Sequence, residues 1–188
     1  MNDSQSRSAS DAPGGYRLTT SFPYLVRRLG LRIGDLFDRT IAPYGVDVSM
    51  YRVMAALAGQ DGQQLGQLGG VTSIEMSTLS RLVGTMAGKG LLTRRRPRDN
   101  GRIVEISLSA KGRKLAAELM PIAAHFDAVA VGGMNTAEVA RIKAQLEAAY
   151  RNIDALEREL NTEKAATDKT PRKIARAKRK PQRAQAPT

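Results

Sequence analysis

The side chains able to carry chemistry in this chain are few in kind. A single histidine, His125, no cysteine and no carboxylate pair beside a nucleophile leave acid–base and covalent catalysis without their groups. The absence of cysteine also removes thiolate ligation, disulfides and thiol-based redox sensing. The nearest phosphate-loop lookalike, Gly84-Thr-Met-Ala-Gly88-Lys89-Gly90, has the wrong spacing and lacks the following Ser or Thr. No enzyme activity, cofactor or metal is therefore expected. What the chain has in excess is positive charge: 30 Lys and Arg against 18 Asp and Glu, a formal +12 over 188 residues. Such a surplus favours a polyanionic partner, nucleic acid or an anionic membrane surface.

The surplus is concentrated. Residues 81–113 hold nine basic and two acidic side chains, and residues 161–188 hold the same numbers, while the rest of the chain is close to neutral. The first patch has a pattern. Over residues 76–88, Met76, Leu79, Val83 and Met86 fall on one helical face, with Ser77, Arg81, Gly84 and Gly88 opposite, flanked by Thr78, Ser80 and Thr85. A small, hydroxylated outer face with one long Arg suits a DNA major groove, where Ser and Thr meet base edges or phosphates and Arg binds guanine bidentately. Two glycines on an exposed helical face cost about 1 kcal/mol each relative to Ala, which an ordinary surface helix gains nothing from.

The neighbouring segments frame that helix. A short helix over about Leu65 to Leu68 is expected before it, broken by Gly69-Gly70, with Thr72 or Ser73 capping the reading helix and Thr72-Ser-Ile-Glu75 forming a capping box. After it, Leu91–Arg96 and Ile103–Leu108 read as strands joined by Pro97-Arg98-Asp99-Asn100-Gly101-Arg102, a hairpin with a cationic tip. Beside a helix-turn-helix such a hairpin is a wing, with Arg98 and Arg102 suited to a narrow minor groove.

Helices flank this centre. Phe22, Leu25, Val26, Leu29, Ile33, Leu36, Phe37 and Ile41 share one face of a first helix that Pro43 and Gly45 end. Asp47 is set to cap a second, through Tyr51, Met54 and Leu57. Ser109 is set to cap a helix through Leu115, Leu119, Ile122, Phe126 and Val129, bent or offset where Pro121 removes a donor and stopped by Gly132-Gly133. Asn135 and Glu138 announce a last helix whose Val139, Ile142, Leu146, Ala149, Ile153, Leu156 and Leu160 keep 3-4 spacing over three heptads. That seam can pack on a partner chain or on the chain's own first helix; spacing does not choose.

The run LSRLVGTMAGKGLLTRRRPRDNGRIVEISLSAKG resembles the winged helix-turn-helix signature of the multiple antibiotic resistance regulator (MarR) family of bacterial transcription factors, and the likeness extends from about Phe22 to Leu160. The family's wing carries an Asp two residues before its tip Arg; Asn100 holds that place here. The resemblance implies a homodimer held by the first and last two helices, reading a pseudo-palindromic operator on double-stranded DNA with one helix per half-site. It assigns Ser77, Thr78, Ser80 and Arg81 to the major groove and Arg98 and Arg102 to the minor groove. Ser73, Arg94, Arg96 and Lys111 are expected to position the protein through phosphates. It also implies release by a small ligand, an aromatic carboxylate or its thioester, between the dimer helices and the winged lobe. Tyr24, Arg28, Tyr51, Arg52 and His125 are the candidates there.

The expected architecture is thus mainly α with a small β-hairpin wing: a winged helix-turn-helix lobe plus a helical dimerisation region. Residues 1–16 read as a disordered lead-in without a signal peptide, and 17–160 as the folded domain. Within it, dimerisation helices cover about 18–44 and 109–160 and the DNA-binding lobe about 47–108. Residues 161–188 read as a disordered basic tail. No run of 18 apolar residues occurs, so no transmembrane helix or membrane partner is expected. A cytoplasmic, nucleoid-associated repressor is the reading. Its competitor is an architectural DNA-binding protein without sequence preference.

Overall fold

The computed structural model describes residues 15–96 and 104–168, with side chains as far as 164. Arg98 and Arg102 at the expected wing tip, the lead-in up to residue 14 and the tail from residue 169 lie outside the described residues. The chain divides into two compact units, one ending at Gly132 and the other beginning at Gly133.

In the first unit, a single 3-10 turn over Leu18–Thr20 precedes helix α1, Phe22–Ile41. A second such turn, Ala42–Tyr44, carries Pro43 and ends at Gly45, whose φ of 72° is left-handed and suits a residue without Cβ. Helix α2, Val48–Gly59, starts from two carboxylates. Asp47 Oδ1 accepts from the Met50 amide at 2.8 Å, and Asp38 of α1 accepts from the Val48 amide at 2.8 Å. One cap is local; the other fastens α1 to α2.

Next come strand β1 (Gln63–Gln64), helices α3 (Leu65–Thr72) and α4 (Met76–Gly88), strands β2 (Leu92–Arg95) and β3 (Glu105–Leu108), and helix α5 (Ala110–Ala130). The three strands form an antiparallel sheet in the order β1-β3-β2, so the hairpin has a third strand that was not expected. A two-residue strand has no signature of its own and exists through its pairing, Gln63 with Ile106 and Gln64 with Glu105.

The expected break at Gly69-Gly70 is not there. Helix α3 runs through both glycines to Thr72, because Gly69 serves the helix crossing instead. A Cβ on it would meet Met76 Sδ at 2.9 Å and Leu79 Cδ2 at 3.7 Å. The chain turns at Ser73, whose φ of 54° is left-handed, and neither Thr72 nor Ser73 caps α4. The buried Thr72 hydroxyl donates back to the Leu68 carbonyl at 2.6 Å.

One core holds these elements together. Phe37 and Ile41 of α1, Val53, Met54 and Leu57 of α2, Leu68 of α3, and Leu79, Val83 and Met86 of α4 pack with Leu92, Ile106 and Leu108 of the sheet and with Ala116 and Leu119 of α5. Each fully buried aliphatic side chain contributes about 1.5–3 kcal/mol. Helix α5, expected to group with the last helix, instead shares the core of the winged lobe. Towards its amino end α1 changes character: Phe22, Leu25, Val26 and Leu29 are exposed.

The second unit is built on helix α6, Thr136–Asp168. Asn135 and Glu138 cap it reciprocally, the Asn135 amide donating to Glu138 Oε2 at 2.8 Å and the Glu138 amide to Asn135 Oδ1 at 3.0 Å. Leu146, Ile153, Leu156 and Leu160 are exposed along it. Residues 161–168, expected to be disordered, continue this helix. Ala, Glu and Lys there favour helix, and no proline intervenes before Pro171. Among the described residues no helix is long and apolar enough to cross a membrane.

Candidate DNA-binding face

Helix α4 carries the densest set of candidate contacts. Leu79, Val83 and Met86 anchor its inner face in the core, which leaves Ser77, Thr78, Ser80 and Arg81 exposed on the outside. Met76, expected among the inner residues, is instead 45% exposed. Gly88 has nothing within 4 Å of where a Cβ would stand. At Gly84 the nearest atom is a guanidinium nitrogen of Arg94, 3.9 Å from that position.

The sheet register explains this last contact. Arg94 pairs with Ile106 and Leu92 with Leu108, so Arg94 shares its sheet face with buried aliphatic residues, and its guanidinium reaches α4 at Gly84. Arg95, one residue on, pairs with Glu105 and points to the other face. Arg96 is exposed just past the strand, and Ser73 is exposed in the turn before α4. Lys111 has a protein partner: its ammonium donates to the Lys89 carbonyl at 3.0 Å, and the Lys89 ammonium donates to the Gly45 carbonyl at 3.0 Å. The carboxy end of α4 is thereby tied to both α5 and the turn after α1.

Two fastenings that the sequence reading missed set the wing on its base. Asp61 accepts from the Leu108 amide at 3.0 Å and lies 3.6 Å from Arg113, whose guanidinium donates to the Leu108 carbonyl at 2.7 Å. The buried Gln63 amide donates to the carbonyls of Ala56 and Gln60 at the end of α2. Ser109, expected as a cap, accepts from the Gly112 amide at 2.9 Å and donates to the Gly90 carbonyl at 2.6 Å.

Glu75 is the functional surprise. The capping-box pattern puts it second to Thr72, yet it is the cap itself. Oε1 accepts from the Ser77 amide at 2.9 Å, and Oε2 accepts from the Ser77 hydroxyl and, at 3.0 Å, from the Thr78 amide. The Ser77 hydroxyl foremost, then the two amides, hold this carboxyl well below the usual range, at about 2. Glu75 therefore stays ionised at any physiological pH. A carboxylate two and three residues before a Ser-Thr pair, at the head of an amphipathic run, was the available signal.

The proposed ligand contacts do not form one site. Tyr51 and Arg52 line a cavity of about 320 Å³ between α1, α2 and α5, with Gly30, Gly34, Phe37 and Phe126 among its other walls. Its aromatic rings meet edge-on, Phe37 with Tyr51 at 4.8 Å between centroids and with Phe126 at 5.3 Å, and burial pushes the Tyr51 phenol up. Tyr24 and Arg28 line a separate open groove of about 570 Å³ with Arg27 and Arg32. His125 is exposed and lines neither.

No protein-family profile matches the chain. A curated relative, the HTH-type transcriptional repressor IacR of Pseudomonas putida, is 21% identical over 136 residues, 72% of this chain and 81% of that protein. Among solved structures, Bordetella bronchiseptica BpsR, described as regulated in DNA binding by 6-hydroxynicotinic acid, superposes with a TM-score of 0.66. It is 26% identical, over 73% of this chain and 98% of that one. A MarR-family transcriptional regulator from Silicibacter pomeroyi gives the same TM-score and identity over 73% and 92% of the two chains. The fold is the MarR winged helix, and the likeness expected from the central sequence run holds in three dimensions.

Proposed function

We infer that the chain is a DNA-binding transcriptional regulator of the MarR type, and propose that it is a cytoplasmic repressor reading a pseudo-palindromic operator as a homodimer. The observation that carries this is the outer face of α4. Its hydroxyls and Arg81 stand clear of the core, and its glycines leave room for Arg94 and for a duplex backbone. Ser77, Thr78, Ser80 and Arg81 take the major-groove contacts. Arg98 and Arg102 take the minor groove, and Ser73, Arg94, Arg96 and Lys111 act towards phosphates. Exposed apolar side chains on α1 (Phe22, Leu25, Leu29) and on α6 (Leu146, Ile153, Leu156) support a second copy as the partner, since isolated chains rarely leave so much apolar surface to water. Replacing Arg81 by Ala is expected to weaken operator binding and relax preference at one base position by about 1–3 kcal/mol. Equal losses on operator and random DNA, in competition titrations, would reduce Arg81 to a phosphate contact.

The cavity beside Tyr51 supports a ligand switch. Phe37, Tyr51 and Phe126 give it aromatic walls, Gly30 and Gly34 put no side chain into it, and Arg52 supplies a cation, with Asp127 also in the lining. An aromatic carboxylate fits that chemistry, and BpsR is a similar protein regulated by one, 6-hydroxynicotinic acid. A ligand acts only through differential affinity for DNA-competent and DNA-incompetent arrangements. Thermal-shift and operator-release assays with aromatic carboxylates are expected to respond, and to lose the response in Arg52→Ala. A panel that moves neither melting temperature nor operator affinity removes the switch.

A further inference from the structure

Glu75 does more to the outer face of α4 than begin the helix. A carboxylate offers four lone-pair sites. Hydrogen bonds from the Ser77 amide, the Ser77 hydroxyl and the Thr78 amide use three, two of them on Oε2, and the Thr78 hydroxyl also lies against the carboxylate, so Oε1, which holds one, is the more open oxygen. The Ser77 hydroxyl has given its only proton to Glu75 and can only accept from anything else. At this end of the face Glu75 and Ser77 therefore present acceptors, with negative charge, and both are exposed. Further along, Arg81 and the Arg94 guanidinium beside Gly84 present donors and positive charge. A phosphate oxygen is repelled at the first end, and so is a base edge that shows only acceptors.

We propose that Glu75 is a specificity-determining residue, selecting cytosine at one position of each half-site, where the N4 amino group faces the amino end of α4. This rests on the reading of the chain as a sequence-specific DNA-binding regulator. In the major groove guanine shows N7 and O6 and thymine shows O4, all acceptors. Adenine shows a donor with the N7 acceptor beside it, and cytosine alone shows a donor with no neighbouring acceptor on the same base. Two acceptors at the end of α4 match cytosine best. Ser77 becomes an accepting partner in this readout, not a donor. Glutamine at position 75 would instead offer a donor and an acceptor together, the pattern that pairs with adenine.

The test is selection of bound duplexes from a randomised pool by the full chain and by Glu75→Gln. The wild type is expected to show a cytosine in each half-site whose preference falls about fivefold or more in Glu75→Gln, with adenine rising there and other positions unchanged. A second measurement needs no variant to fold: wild-type protein on a duplex whose selected cytosine lacks its exocyclic amino group should bind about fivefold more weakly. An unchanged base preference in Glu75→Gln with uniformly tighter binding, or wild-type indifference to the missing amino group, overturns the proposal and leaves Glu75 as a cap. A wild-type selection without any preference overturns the DNA-reading proposal itself.

Discussion

Gly112 and Gly88 look alike in the sequence and have opposite roles. A Cβ at Gly112 would collide with the Leu91 backbone carbonyl and stand 3.2 Å from Leu108 Cδ2, because the first turn of α5 is pressed onto the end of the hairpin. Neither backbone can yield without opening the Ser109 cap. At Gly88 nothing within 4 Å opposes a side chain, so without DNA the glycine only costs helix stability. Gly112→Ala is therefore expected to destabilise the chain by about 2 kcal/mol or more in denaturant titration. Gly88→Ala should stabilise it by up to about 1 kcal/mol while weakening DNA binding, provided the duplex comes close there. Unchanged affinity in Gly88→Ala would show that the glycine leaves room for nothing.

At the scale of elements, what could be read from the sequence was what is local. Asp47, Ser109 and the Asn135–Glu138 pair cap the expected helices because a cap needs only three or four consecutive residues. Three-four spacing placed Leu79, Val83 and Met86 inward and Ser77 and Arg81 outward for the same reason. What failed depended on partners distant in sequence. Strand β1 exists through β3, and α3 continues through Gly69-Gly70 because α4 crosses there. The capping-box pattern puts Glu75 at the right end of the right helix but in the second place, because α3 runs on to Thr72 and α4 starts only after Glu75. The ligand candidates scattered for a related reason. Tyr24 and Tyr51 are both aromatic residues on early helices, but α2 and α5 close a cavity around Tyr51 only. Helix α6 overran its expected end because charge composition suggested a tail while helix propensity still favoured the helix.

For the whole molecule, we propose that the two basic patches divide the work. The patch at residues 81–113 includes Arg81, on a helix anchored in the core, and Arg94, whose guanidinium reaches that helix at Gly84, so the backbone of a packed lobe places both. Residues 169–188 hold eight basic side chains and no acidic one. Counterion release makes such charge a source of affinity that is blind to sequence and steep in salt, about 0.9 logarithmic units per phosphate neutralised. On this division α4 and the wing choose the DNA, and residues 169–188 only hold it. Its most direct test is competition binding, operator against random duplex across a salt series, for the full chain and for a chain ending at residue 168. A shallower salt dependence on both duplexes is expected in the shortened chain, with the ratio of operator to random affinity preserved within about twofold. Collapse of that ratio when the tail is removed would contradict it and move sequence reading away from the winged helix.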